Sequence, residues 1–130
     1  MFSLNLSRFE KELDVLFRRG SHVVGWTGEL PRPGTFVTKN VAGHPVLVTR
    51  ADDGVLRAFK NACTHRGAQV ADGCGEARRL TCPYHAWSFA LDGSLAGQPD
   101  SYAFDEIDRM TLGLEPLPIA DVAGLIAVGL

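Results

Sequence analysis

The sequence predicts an all-β fold, an antiparallel β-sandwich or barrel, preceded by one N-terminal α-helix. Three observations lead there. After Gly20, short runs rich in β-branched and aromatic residues recur, separated by Gly, Pro, Asn and Asp clusters at the spacing of about eight to twelve residues typical of such folds. Asp53-Gly54 and Asp92-Gly93 lie between apolar runs, as tight hairpin turns do. Before Gly20 the apolar residues follow a helical spacing instead.

Residues 4–19 carry Phe9, Leu13, Leu16 and Phe17 at i, i+4, i+7 and i+8, which is one face of a helix. Ser7 with Glu10 fits a capping box at its start, and Arg18 and Arg19 before Gly20 fit its end. This is expected to be an amphipathic packing helix, so residues 1–20 form one unit and residues 21–130 the β domain. The expected strands are HVVGW, TFVTK, PVLVTR, LRAFKNA, RRLTCP, WSFAL and GLIAVGL, with PRPG, AGHP, ADDG, ADGCG, LDGS and GQPD as the turns. Residues 98–118 are less regular and are expected to wrap the sheet as a covering loop. Trp26 is expected in the core.

The chain of 130 residues has the size of one domain, and its 45% hydrophobic content supplies one core rather than two. A formal net charge of -2 gives no basic footprint for nucleic acid. MFSLNLSRFEKELD carries charges where a signal peptide needs an apolar run, and VAGLIAVGL is too short to span a bilayer. The expected setting is the cytoplasm, with no membrane partner. Three cysteines, an odd and low number, argue against a disulfide framework.

Cys63 and His65 form a C-x-H pair; sixteen residues separate His65 from Cys82, which with His85 forms C-x-x-H. Three readings compete. The four can be unrelated core cysteines and surface histidines. They can hold one tetrahedral zinc in a structural module, although zinc fingers usually pair Cys with Cys and His with His. Or they can hold a [2Fe-2S] cluster in which two Cys bind one iron and two His the other. In that case each loop spans the cluster and supplies one thiolate and one imidazole, which accounts for a mixed pair in each loop.

The flanking residues carry a resemblance. NACTHRGAQVADG and LTCPYHAWSFALDGSL resemble the Rieske family, and most closely the N-terminal part of ring-hydroxylating oxygenase large subunits with their CxHRG and CPYHxW loops. ELPRPGTFVTKNVAGHPVLVTRADDGVLRAFKNAC is similar to that family's approach to the first loop. The resemblance implies a Rieske-type β-sandwich with a [2Fe-2S] cluster on Cys63, His65, Cys82 and His85. It also implies a ferredoxin or reductase as electron donor, and an oxygenase catalytic domain or subunit with a mononuclear non-haem iron as acceptor, for aromatic ring hydroxylation. A stand-alone Rieske-type ferredoxin is the alternative within the family. Ala68 and Tyr84 stand where Rieske proteins of respiratory complexes carry a disulfide, which points to the oxygenase and ferredoxin branch and to a potential at the low end of about −150 to +300 mV.

In the same light, His65 and His85 act as ligands and as the electron exit. Gly67 serves a turn, Pro83 stiffens the second loop, Trp87 packs under the cluster, and Arg66 has a structural or docking role. Tyr84 is a candidate hydrogen-bonding neighbour. Cys74 is expected to be no ligand, and His22 and His44 to be structural or exposed. The family's mononuclear iron needs two His and a carboxylate; once the cluster has taken its two, only His22 and His44 remain, and they form no H-x(4)-H-type pair. The chain is therefore expected to hold no complete oxygenase active site. It would be an excised or separately encoded Rieske half, enzymatic only as part of a larger oxygenase.

Overall fold

The computed structural model describes residues 21–64, 67–83, 87–97 and 113–130. Among these the regular structure is strand, apart from a 3-10 turn at Thr27–Glu29. The helix expected within residues 1–20 and most of the expected covering loop lie outside the described residues.

In chain order the strands are β1 (Ser21–Trp26), β2 (Thr35–Val41), β3 (His44–Arg50), β4 (Leu56–Lys60), β5 (Cys74–Glu76) and β6 (Arg79–Thr81). They continue with β7 (Ser88–Ala90), β8 (Leu95–Gly97), β9 (Pro116–Leu117), β10 (Ile119–Val122) and β11 (Leu125–Gly129). All pairings are antiparallel and make three sheets, ordered β1-β11-β10, β5-β2-β3-β4-β9 and β6-β7-β8. The seven expected strands are present: β1, β2 and β3 run one or two residues longer than expected, and β4, β6, β7 and β11 are trimmed at their ends. β5, β8, β9 and β10 were not expected as strands, and β9 comes from the described end of the segment expected to be a loop.

The five-stranded sheet is the middle layer, and β3 shows why. Val46, Leu47, Val48 and Thr49 are all fully buried, so this strand has no solvent face. An unbroken apolar run is what a strand covered on both sides requires. Val46 and Val48 join Val37, Val41, Ala58, Leu117, Ile126 and Val128 in a core shared with the β1-β11-β10 sheet. Leu47 points the other way, with Phe59, and joins Leu80, Phe89, Leu91 and Leu114 in a second core shared with the β6-β7-β8 sheet. The expectation of a single core is thus corrected. The period-two alternation of β3 and β4 divides one set of apolar residues between two faces.

Both Asp-Gly turns close hairpins, β3 to β4 and β7 to β8. The Gly54 N–H donates to Ala51 O at 2.8 Å and the Gly93 N–H to Ala90 O at 2.9 Å, with φ of 78° and 92° at the two glycines. In each turn the aspartate accepts from the backbone N–H two residues on, Asp53 from Val55 and Asp92 from Ser94.

Trp26 is not in the core; it is 59% exposed. The pairing of β1 with β11 shifts register between Val23 and Gly25. Beyond that bulge the indole lies against Gly28 of the 3-10 turn, where a side chain of any size would collide with it. Trp26 therefore covers bare backbone at the surface instead of filling either core. Among the described residues no helix is long and apolar enough to cross a membrane.

Candidate metal centre

The first Cys/His loop leaves the end of β4. Cys63 is 2% exposed, while Thr64, Gly67 and Gln69 are exposed. The Cys63 N–H donates to Ala68 O at 2.6 Å, and the Gly67 N–H returns to Cys63 O at 2.6 Å. Gly67 has φ of 78°, a left-handed conformation that suits glycine, so its expected turn role agrees with the backbone.

The second loop lies within a hairpin. β6 and β7 pair up to Thr81 and Ser88, and the next pair inward is the Cys82 N–H with Trp87 O at 2.7 Å. Cys82 is fully buried and Pro83 beside it is exposed. The two hexapeptides are therefore built alike. In CTHRGA and in CPYHAW, the amide of the first residue holds the carbonyl of the sixth. Each loop is pinned at its root, with a cysteine at the pinning point.

The two cysteines share one core with Leu47, Phe59, Val70, Leu80, Trp87, Phe89, Leu91 and Leu114. Trp87, expected beneath the site, is 3% exposed within that core. The β6-β7-β8 layer is fastened to the central sheet by the Thr49 hydroxyl, which donates to Leu91 O at 2.6 Å. A second tie is the Leu114 N–H to Gly93 O at 2.7 Å. No described cysteine is in a disulfide. Cys74 is exposed on β5, an edge strand outside this core. His44 is exposed and His22 half-buried.

His65, Arg66, Tyr84 and His85 lie outside the described residues. Among the described residues no three His, Cys, Asp or Glu side chains gather as a metal site. What the structure does bring together is the cysteine half of the expected ligand set, two thiols in a shared apolar core at the roots of matching loops. A pair of soft donors shielded from water suits an iron–sulfur cluster.

Sequence reasoning passed over Asn61. It is 1% exposed, and its Oδ1 accepts from Val70 N–H at 3.0 Å and Ala71 N–H at 3.2 Å, while its Nδ2 donates to Ala71 O at 2.9 Å. The sequence carries no signal for this role beyond its place two residues before a candidate ligand, because its partners lie nine and ten residues further along the chain.

Comparison with known proteins decides the family. The model of the Rieske [2Fe-2S] domain matches residues 20–110. The chain belongs to the Rieske [2Fe-2S] domain family. Within the family it is 37% identical over 123 residues to the carnitine monooxygenase oxygenase subunit of Acinetobacter baumannii, covering 94% of this chain and 33% of that protein. It is 34% identical to the chloroplastic choline monooxygenase of Beta vulgaris, covering 94% of this chain and 27% of that protein. Among solved structures, the quaternary ammonium Rieske monooxygenase CntA with L-carnitine superposes with a TM-score of 0.80 at 36% identity, over 92% of this chain and 34% of that one. Naphthalene 1,2-dioxygenase with indole bound superposes at 0.79 and 32% identity, over 93% of this chain and 28% of that one. This Rieske chain spans about a third or less of the length of these relatives.

Proposed function

We propose that residues 21–130 are the electron-transfer domain of a Rieske-type oxygenase, preceded by a helix within residues 1–20. In this reading Cys63 and Cys82 hold one iron as thiolates, and His65 and His85 hold the other as neutral imidazoles. The bound [2Fe-2S] cluster supplies one-electron redox chemistry. The chain's own residues provide its setting: the core around Cys63, Cys82 and Trp87 keeps water from the thiolate side, and the pinned loop roots fix where the two thiolates stand. The single observation that carries the reading is the matched pair of loops, each closed by its cysteine amide, with both cysteines in one core.

The proposed donor is a ferredoxin or reductase, and the proposed acceptor is a mononuclear iron in an oxygenase catalytic domain or subunit. One relative's structure is described in terms of inter-subunit electron transfer. The expectation of an aromatic substrate is widened, because carnitine, choline and glycine betaine monooxygenases are among the relatives. The proposal is accordingly an oxygenase of the Rieske type, acting in the cytoplasm. A spectroelectrochemical titration of the iron-loaded chain tests it. The expected result is a reversible one-electron step toward the low end of about −150 to +300 mV; a strongly positive potential contradicts it.

A further inference from the structure

The two loops are matched at their roots but not in what supports them. The second loop has a strand on each side, β6 before and β7 after, paired to its base. The first has β4 before it, but residues 67–73 after it belong to no strand. The returning chain therefore lacks a ladder to set its path.

Asn61 stands where that ladder would be. A side-chain amide presents the same donor and acceptor as a peptide group. Through it Asn61 accepts from the amides of Val70 and Ala71 and donates to the Ala71 carbonyl. Its own backbone N–H donates to Pro45 O at 3.0 Å, which ties it to β3. Val70, held in this way, is buried in the core that contains Cys63 and Cys82. The result is two nested closures around one ligand: Asn61 to Val70 and Ala71 outside, the Cys63 amide to Ala68 inside.

We propose that Asn61 is a positioning residue for the cluster: its side-chain amide replaces the strand that the first loop lacks and thereby fixes Cys63 relative to Cys82. The inference rests on the cluster reading above. It assigns to Asn61 an effect on the cluster itself, beyond any effect on the stability of the fold.

The test uses the full 130-residue chain loaded with ferrous iron and sulfide. Asn61→Leu removes all three bonds. Asn61→Asp keeps the acceptor and loses the donor, and serves where the first variant does not fold. Thr35→Val is the control: Thr35, on β2, is 5% exposed and its hydroxyl donates to Arg32 O at 2.7 Å, a tie that involves neither cysteine-bearing loop. The readouts are the electron paramagnetic resonance spectrum of the reduced chain, the half-life of the cluster and the melting temperature. The expected result is an altered spectrum and a half-life shortened about tenfold in the Asn61 variants, the low end of what loss of a ligand-orienting partner costs a metal site. Thr35→Val lowers the melting temperature and leaves the spectrum and half-life unchanged. Asn61 variants that match Thr35→Val, beside a wild-type chain that takes up the cluster, overturn the inference alone. A wild-type chain that takes up no cluster overturns the proposed function and this inference together.

Discussion

The backbone amide of Cys82 donates to the carbonyl of Trp87 at 2.7 Å, five residues further on, across a loop that contains His85. Cys63 and Ala68 make the same closure across the loop that contains His65, at 2.6 Å. Each closure fixes the backbone at the root of its loop, so a donor there is placed before any metal arrives. Preorganisation of that kind lowers the ordering cost of binding. Both donors at the roots are buried cysteines.

The cysteines are therefore expected to divide by position. Cys63→Ser and Cys82→Ser each abolish stable cluster incorporation, whereas Cys74→Ser, on the exposed edge strand β5, leaves it intact. Iron and acid-labile sulfide content of the purified variants measures this. Loss of iron in Cys74→Ser, or its retention in both of the others, contradicts the assignment.

The two Asp-Gly hairpins predict unequal responses to the same substitution. Gly54 and Gly93 both have positive φ, so alanine at either pays a left-handed backbone cost of about 1–2 kcal/mol. A Cβ at Gly54 meets open space, while one at Gly93 overlaps the ring of Phe59, which is only 4% exposed. Overpacking adds about 1–3 kcal/mol there. Denaturant titration is expected to rank Gly93→Ala well below Gly54→Ala in stability. Equal losses would mean that the β7–β8 turn does not rest on Phe59.

Asp53 gives a pH signature. Its hydrogen bond from Arg57, at 2.8 Å to Oδ2, together with the Val55 amide, lowers its pKa from 3.8 to about 2. A carboxyl with a depressed pKa in the folded state stabilises fully above its ordinary value and loses that contribution as pH falls through the lowered one. Asp92, lowered first by its hydrogen bond with the Ser94 hydroxyl, acts in the same direction. The stability advantage of wild type over Asp53→Asn is expected to shrink between pH 3.8 and about 2. Thermal melts across that window measure it; an advantage that is constant with pH contradicts the Arg57 pairing.

Much of this was legible in the sequence because it depends on local chemistry. PVLVTR is a short run rich in β-branched residues between turn signals, which is enough to place a strand there. The Asp-Gly turns and the two Cys/His hexapeptides are fixed by short-range spacing. The second core was hidden because composition counts apolar residues without saying which face of a strand they occupy. β9 is two residues long and β5 and β8 three each, so each is held by its neighbour's ladder more than by its own pattern. The β10–β11 hairpin did leave a trace. NVAG at 40–43 and DVAG at 121–124 make the same turn, with Ala-Gly at positive φ and a side-chain oxygen of Asn40 or Asp121 accepting from the glycine amide three residues on. Asn61 could not be read, because its partners, nine and ten residues away, become neighbours only once the loop has folded back.

The central claim is that one cluster is held by two thiolates and two imidazoles. Pulsed electron paramagnetic resonance of the reduced, iron-loaded chain tests it most directly. If His65 and His85 hold one iron of the cluster, the reduced chain would show couplings to two imidazole nitrogens, one of which would disappear in His85→Cys. A cluster without nitrogen coupling, or a colourless chain that binds zinc in place of iron, would contradict it.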